Sequence, residues 1–368
     1  LEQVIDTQPL EGGIPFSSNG LEQCLRLGAD AFGWREPPAA PSSDPAVKRG
    51  RGMSMMVYRG GPGSPSSAEV RIERSGLIKL VTGLMDVGQG ATTVLPQIAA
   101  EVLGARYEQV ETVFADTTGT PNAPITAGST ATFSTGTAVV QAAREVRQQL
   151  MELASSGLEE PVRQLDAALG EIFVKSDPSR RMSLTDVAGR MDGEALSASA
   201  TVVPGSTDAI VNSFGAHFVE VEVNTDTGRV RVVRYVAAQD SGRIINPLGH
   251  QGQINGGAVQ GVGYGLMEEL LLDKGRVSSP SFADYKVPTI ADIPGLRTVL
   301  LESDDGAGPA TPRRGSVADL RHREWGMAQL RGRHCRHEVF SARPDRPRQL
   351  QRPRAGVAVD VGRPLREQ

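Results

Sequence analysis

The feature that most constrains this chain is a pattern it uses twice. An alternating apolar–polar run doubles back at a glycine turn and then passes through a second glycine turn into a helical period. In the first instance "AEVRIERSGLIKLVTG" alternates on both sides of Ser75-Gly76, as a β-hairpin with one buried face requires. It continues through "MDVGQG" into "GATTVLPQIAAEVLG", whose apolar residues recur at helical spacing and stop at Gly104. Pro96 falls in the first turns of that helix, where a missing N–H costs least. In the second instance "FVEVEVNTDTGRVRVVRYVAAQD" turns at Asp226 to Gly228 and leads through "QDSGRIINP" into a glycine-rich helix expected from about Gln253 to Leu270. Between them "STGTAVVQAAREVRQQLMELAS" carries the apolar stripe of one long amphipathic helix.

This pattern predicts an α+β fold of two mixed strand-helix units, 48–200 and 201–305, with the polar stretch 156–200 at the periphery. Residues 1–47, with the Pro/Ser-rich "EPPAAPSSDPAV" at 36–47, read as a connecting segment, and "RGGPGSPSS" at 59–67 reads as a flexible loop. A chain of 368 residues is long enough for two such units. Cys24 and Cys335 are the only cysteines, so there is no disulfide framework and no repeated metal-ligand spacing. No apolar run reaches the roughly 18 residues of a membrane span, and "LEQVIDTQPLEGG" lacks the regions of a signal peptide, so the expected compartment is the cytoplasm. The first residue is Leu, which points to a fragment.

Charge divides the chain unevenly. Beyond Ala310 there are fourteen Arg, no Lys and six acids, an excess of eight positive charges in a chain whose net charge is -4. A nucleic-acid arm would interleave aromatics or show a helical period, and this tail does neither. Residues 306–368 are therefore expected to be an irregular, non-native tail. The metal-like "HCRH" at His334 to His337 lies within it and is discounted.

Three places could hold a ligand. Gly88-Gln89-Gly90 stands where a strand ends and a helix begins: the glycines admit a ligand close to the backbone, the helix N-terminus offers N–H groups, and Gln89 both donates and accepts. A tight turn with Gln89 exposed accounts for it equally well. "TAGSTATFSTG" places Gly128, Ser129 and Thr130 before the long helix, as an anion cradle or as an ordinary capped start. "GQINGGAVQGVGYGL" opens at Gln253 and crowds glycine into a helix, where each costs about 1 kcal/mol against Ala, so close packing or a ligand must lie against it. His217 and His250 have no second ligand at zinc spacing and read as structural. Asp86, Asp116 and Asp240 sit at strand ends and read as turn residues. No GxSxG, Walker loop or dinucleotide fingerprint is present.

Together "DVGQGATTVLPQIAAEVLG", "ADTTGTPNAPITAGSTATFSTGTAVVQAA", "DSGRIINPLGHQGQINGGAVQGVGYGLMEEL" and "SFADYKVPTIADIP" resemble, in content and order, the molybdenum-binding large subunit of the xanthine dehydrogenase and aldehyde oxidase family. The resemblance covers roughly Leu21 to Pro309. It implies two units facing a molybdopterin cofactor, expected in its cytosine dinucleotide form, and a hydroxylase that inserts a water-derived oxygen into an N-heterocycle or aldehyde. Electrons would pass to Fe-S and FAD partner subunits. The family's Gln beside the molybdenum oxo group falls on Gln89, flanked by Gly88 and Gly90. Its pterin and phosphate loop falls on Gly128, Ser129 and Ala131, and the Gln of its last glycine-rich helix falls on Gln253. A non-catalytic cofactor-binding or assembly fragment and a carbon monoxide dehydrogenase-like subunit are the alternatives.

Two departures from the family accompany the resemblance. Its N-terminal half has no counterpart before Leu1, so the chain is expected to be a C-terminal portion whose missing half is itself a partner, and one weakly active or inactive alone. The family's Gly-x-Gly-Glu segment, whose carboxylate is the catalytic base, has no counterpart after Pro309, so no catalytic residue is assigned. A frame slip near Gly306 to Ala310 accounts for the Arg-rich, Lys-free tail: "RHREW" read one base later permits Ala-Ile-Ala-Asn-Gly, similar to a run the family has shortly after that Glu.

Overall fold

A computed structural model describes residues 15–37, 42–61, 63–203, 209–302 and 339–341. In chain order the elements begin with helix α1 (Leu21–Phe32), strands β1 (Val47–Arg59), β2 (Ser66–Glu73) and β3 (Ile78–Thr82), helix α2 (Ala91–Leu103) and strand β4 (Val110–Phe114). The long helix α3 (Ala131–Leu158) follows, then β5 (Leu165–Ala168), β6 (Glu171–Val174), β7 (Asp177–Ser183), the short α4 (Leu184–Ala188) and β8 (Ala195–Val202). The remainder is β9 (Asn212–Asn224), β10 (Val230–Asp240), helix α5 (Pro247–Leu266), the minimal pair β11 (Leu272–Asp273) and β12 (Arg276–Val277), β13 (Gly295–Glu302) and β14 (Val339–Ser341).

The first hairpin forms as the alternation requires. β2 and β3 pair antiparallel from Glu69↔Val81 to Ile72↔Ile78, with Gly76 at φ 82° in the turn. Residues 70 and 72 point inward with Ile78 and Leu80, and these side chains are fully buried. β4 adds parallel to β3, which obliges the intervening chain to cross over, and α2 is that crossover. α2 ends where Gly104 adopts the left-handed conformation at φ 72°. Pro96 is its sixth residue, beyond the first turn, so the helix loses the bond that Thr92 would otherwise accept. α3 lies across β2, β8 and α2 and buries Ala138, Val139, Ala142, Ala143, Val146 and Leu150 in one apolar core.

The stretch 156–200 is more central than its polarity suggests. It supplies β8, which pairs along its whole length with β2, and a three-stranded sheet β5-β6-β7 whose Ile172 and Val174 are fully buried in the same core. Its exposed faces carry the polar residues and its buried face carries few but large apolar ones.

The second sheet has the order β1-β9-β10-β13-β14. β9 and β10 form the expected hairpin, with a bulge between Val232 and Arg234 and Gly228 at φ 71° in the turn. β13 is parallel to β10, and α5 is the crossover. α1 packs on the other face, where Cys24 and Phe32 meet Ala216, Phe218, Val236, Ala238, Val299 and Leu301. The approach is close: a Cβ added to Gly28 would stand 2.5 Å from the Phe218 ring. The start of α1 is held by Asp240 at the end of β10, whose Oδ2 accepts the Gly20 N–H at 2.9 Å. Burial pushes that carboxyl up while the N–H groups of Gly242 and Gly20 oppose the shift. Burial first, then the neighbouring Asp240, pushes the Cys24 thiol up to about 12, so it packs as an apolar group. Cys335 lies outside the described residues.

This sheet redraws the division expected from local pattern. The segment 1–47 contains α1, a core helix, and β1 belongs to the second sheet, paired antiparallel with β9 from Val47↔Asn224 to Arg59↔Asn212. The glycine-rich helix begins at Pro247, six residues before Gln253, because Asn246 caps it by accepting the Gly249 N–H and Pro247 occupies the first turn. Of the Arg-rich tail only Val339–Ser341 is described, and it pairs parallel with β13 from Leu300 to Glu302. "HCRH" and the place expected for a Gly-x-Gly-Glu lie outside the described residues.

Candidate functional site

The two glycine loops of the first unit meet at one carbonyl. Gln89 Nε2 donates to Met85 O at 3.1 Å, and Thr126 Oγ1 donates to the same oxygen at 2.6 Å. This ties the loop 85–90, before α2, to the loop 126–130, before α3. The two helix starts differ in what their N–H groups do.

At α2 they are taken. Asp86 Oδ1 accepts from Gly88 N and Gly90 N at 2.9 and 3.3 Å, and Oδ2 accepts from Thr92 N and Thr92 Oγ1 at 2.8 and 2.7 Å. Partial burial pushes the Asp86 carboxyl up, but the Thr92, Gly88 and Gly90 donors outweigh it and hold it at about 2. Gln89 is folded onto its own loop, its Oε1 accepting the Val87 N–H at 2.7 Å while its Nε2 serves Met85. The anion cradle expected at Gly88-Gln89-Gly90 therefore carries the protein's own carboxylate. Gly88 and Gly90 stand at φ 109° and 86° with open space where a Cβ would go, so the backbone itself requires glycine there.

Asp86 gives a direct stability test. Asp86→Ala is expected to cost about 1–2 kcal/mol, the scale of a lost helix cap, measured by urea unfolding near neutral pH. Because the folded carboxyl titrates below its ordinary value of 3.8, its contribution is complete above that value and fades as pH falls through about 2. The gap between wild type and variant is thus expected to stay constant above pH 4 and to close in strong acid.

At α3 the N–H groups are open. Thr130 precedes the helix without a side-chain cap, and among the described residues the N–H groups of Gly128, Ser129, Ala131, Thr132 and Phe133 have no hydrogen-bond partner. Gly128 and Ser129 are both left-handed, at φ 62° and 59°. Serine is uncommon there, and the pair stands at the positive end of a 28-residue helix. Neutral N–H donors at a helix start suit a phosphate or another anion of fixed shape. Tyr58 of β1 lies beside this loop, since a Cβ at Gly128 would stand 3.9 Å from its Oη, and Gly63, in the connection from β1 to β2, donates its N–H to Ser134 Oγ at 2.9 Å. Tyr58 was not legible as a site residue, because it reaches this loop only through the pairing of β1 with β9, more than 150 residues away.

Gln253 stands apart. It is exposed in the second turn of α5, and no hydrogen bond or ion pair among the described residues joins it to either loop. It belongs to an exposed stripe, Gly252, Gln253, Gly256, Gly257, Gln260, Gly261, Tyr264 and Gly265, that runs the length of the helix, and a Cβ added at any of its five glycines meets nothing within 4 Å. Only Ala258 and Gly263 are buried. His217 shares its Nδ1 with Tyr235 Oη at 2.9 Å, and burial lowers the pKa of both His217 and His250. No group of three or more His, Cys, Asp or Glu that could hold a metal ion occurs among the described residues. No helix among them is long and apolar enough to cross a membrane.

An open helix start beside a second glycine loop offers neutral backbone donors of the kind that suit an anionic ligand. The molybdopterin cofactor-binding domain family matches residues 27–294. The chain is 34% identical over 308 residues to the aldehyde oxidoreductase molybdenum-binding subunit PaoC of Escherichia coli K12, covering 82% of this chain and 40% of that one. It is 32% identical over 302 residues to the 6-hydroxypseudooxynicotine dehydrogenase complex subunit gamma of Paenarthrobacter nicotinovorans, covering 80% and 36%. Among solved structures, quinoline 2-oxidoreductase from Pseudomonas putida 86 superposes with a TM-score of 0.65 at 28% identity over 79% of this chain and 39% of that one. CO dehydrogenase from Oligotropha carboxidovorans shares the fold, with a TM-score of 0.73 at 24% identity over 85% and 42%. The chain belongs to the molybdopterin-binding family of xanthine dehydrogenase and aldehyde oxidoreductase molybdenum-binding subunits. It spans about two fifths of the length of these relatives.

Proposed function

We propose that this chain is the cofactor-gripping part of a molybdenum hydroxylase large subunit, acting on an N-heterocycle or aldehyde with water as the oxygen source. The observation that carries the reading is the set of N–H groups of Gly128, Ser129, Ala131, Thr132 and Phe133 that have no partner among the described residues at the start of α3. These groups would hold the phosphates of molybdopterin, in its cytosine dinucleotide form, with Ala131 in the first turn leaving room for them. Gln89 would reach the cofactor by exchanging its bonds to Val87 and Met85 for the ligand. When bound, the cofactor supplies two-electron redox chemistry and a site for water-derived oxygen. The protein's part is to orient it by neutral donors, which do not titrate, so its grip is insensitive to pH across the range where the enzyme is folded. Fe-S and FAD subunits would accept the electrons, and the remaining part of the large subunit would complete the pocket.

Ala131→Glu tests the reading. A carboxylate in the first helical turn favours the helix, yet it competes with a bound phosphate for the same N–H groups. Expressed where molybdopterin is made, wild type is expected to retain molybdenum and pterin, and Ala131→Glu to retain at least tenfold less with an unchanged thermal midpoint. A wild-type protein without pterin, or a variant that keeps its full content, sinks the proposal. Bound cofactor without turnover of any aldehyde or N-heterocycle would instead support a non-catalytic cofactor-binding or assembly role.

A further inference from the structure

The connection from β10 to α5, residues 241–246, joins two elements packed on the second sheet and yet sends side chains toward the α2–α3 core. Its two ends are fixed on its own side. Asp240 Oδ1 accepts the Gly242 N–H at 3.1 Å while its Oδ2 holds the start of α1 through Gly20, and Asn246 caps α5. The middle faces the other way. Arg243 Nη2 lies 3.6 Å from Glu101 Oε1 in the last turn of α2, and Ile245 packs against the core that α2 and α3 build. The side chains of Arg243 and Glu101 are 14 and 30% exposed, so their attraction is screened less than that of a surface pair. The main helix and strand packing stays on one side or the other: α3 lies on α2, β2 and β8, while α1 and α5 lie on the second sheet. Arg147 with Asp166 and Arg234 with Glu220 likewise pair within one side, whereas Arg243 and Glu101 pair across.

We propose that this connection is the joint that sets α5 relative to α2, with Arg243 as its positioning residue. Burial of Ile245 draws the connection onto the α2–α3 core but is not directional. The ion pair with Glu101 fixes where along α2 it rests. A guanidinium suits that task, because it stays charged at every pH at which the protein is folded. α2 is a single helix from the loop that carries Gln89 to the turn that carries Glu101, and α5 carries Gln253 in its second turn. The joint therefore fixes the separation of the two glutamines, which neither core does by itself, since each holds only one of the two helices. That the glutamines are two arms around one cofactor rests on the proposed function; the joint between α2 and α5 does not.

Spin labels report the joint directly. With nitroxides on Gln23→Cys in α1 and Gln141→Cys in α3, both exposed positions, in a Cys335→Ser background, the full chain is expected to give one narrow distance distribution by pulsed electron paramagnetic resonance. Cys24 is buried with its thiol pushed up to about 12 and does not take the label. Arg243→Glu and Glu101→Arg each set like charges together, and each is expected to broaden the distribution at least twofold with unchanged circular dichroism. Arg243→Gln, which removes the charge without repulsion, is expected to broaden it as well. The exchange of both residues, Arg243→Glu with Glu101→Arg, is expected to narrow it again. Molybdenum and pterin content is expected to follow the width, at least fivefold lower in each single charge reversal and within twofold of wild type in the exchange. A distribution as narrow in Arg243→Glu and Arg243→Gln as in wild type, or one that the exchange leaves broad, overturns the joint. Full pterin content in a broadened variant overturns the positioning role of Arg243. Wild type without pterin, together with the expected widths, supports the joint and overturns the cofactor reading alone.

Discussion

Gly257→Leu is expected to stabilise the isolated chain by about 1 kcal/mol and at the same time to lower its molybdopterin content at least tenfold. The first effect follows from helix propensity, since glycine inside a helix costs about that much against residues such as Ala or Leu. At this position nothing offsets the cost locally: a Cβ would meet no atom within 4 Å, and the helix is anchored on its other side by Ala258, Gly263 and the bond from Thr298 Oγ1 to Asn255 Oδ1 at 2.7 Å. Five such glycines in one exposed stripe amount to several kcal/mol of helix stability forgone. A cost of that size, borne on the face that carries Gln253, is understandable if something must approach the α5 backbone closely. Urea unfolding and pterin fluorescence measure the two halves of the prediction separately. A variant that is both more stable and fully loaded would show that the stripe faces away from the cofactor.

Phe218→Ala is expected to remove about 3–5 kcal/mol of stability, the range for truncating a buried aromatic. Phe218 is 1% exposed at the centre of the contact between α1 and the second sheet. Its ring lies 5.9 Å from that of Phe32 and 5.6 Å from that of Trp34, and it seats against Gly28, where no larger residue fits. Truncation leaves a cavity that the closely packed helix cannot fill by a small shift. Arg234, stacked 4.2 Å over the Phe32 ring and bonded to Glu220 at 2.8 Å, pins the far side of that cluster. Hydrogen exchange is expected to localise the loss to α1, β9 and β10 and to spare α2 and α3, whose core is separate. Uniform loss of protection would show instead that the two cores unfold as one unit.

Particular residues mark how far the sequence carries. Both hairpins, their turns at Gly76 and Gly228, the stop at Gly104 and the long α3 were legible, because each is set by a period or a backbone conformation within about twenty residues. The loop at Gly128, Ser129 and Ala131 was legible as a helix start, and its neighbour at Gly88, Gln89 and Gly90 as a glycine turn. That Asp86 fills one set of amides while the other stays open was not, since the sequence places an acid before one helix start without recording where its carboxylate turns. Which amides are free depends on where one carboxylate folds back, and a string of residue types does not record that.

The sequence by itself determined the local units and the family they compose, because periodicity and glycine placement act between near neighbours. Only the tertiary structure decided that α1 is core and not connector, that β1 leaves its neighbours to pair with β9, and that α5 turns its glycines outward. Those outcomes rest on contacts between residues far apart in the chain, Phe32 with Phe218, Gly20 with Asp240, Tyr58 with the loop at Gly128. Each is a match of shape and buried surface between separate segments, and neither partner carries the other in its own pattern.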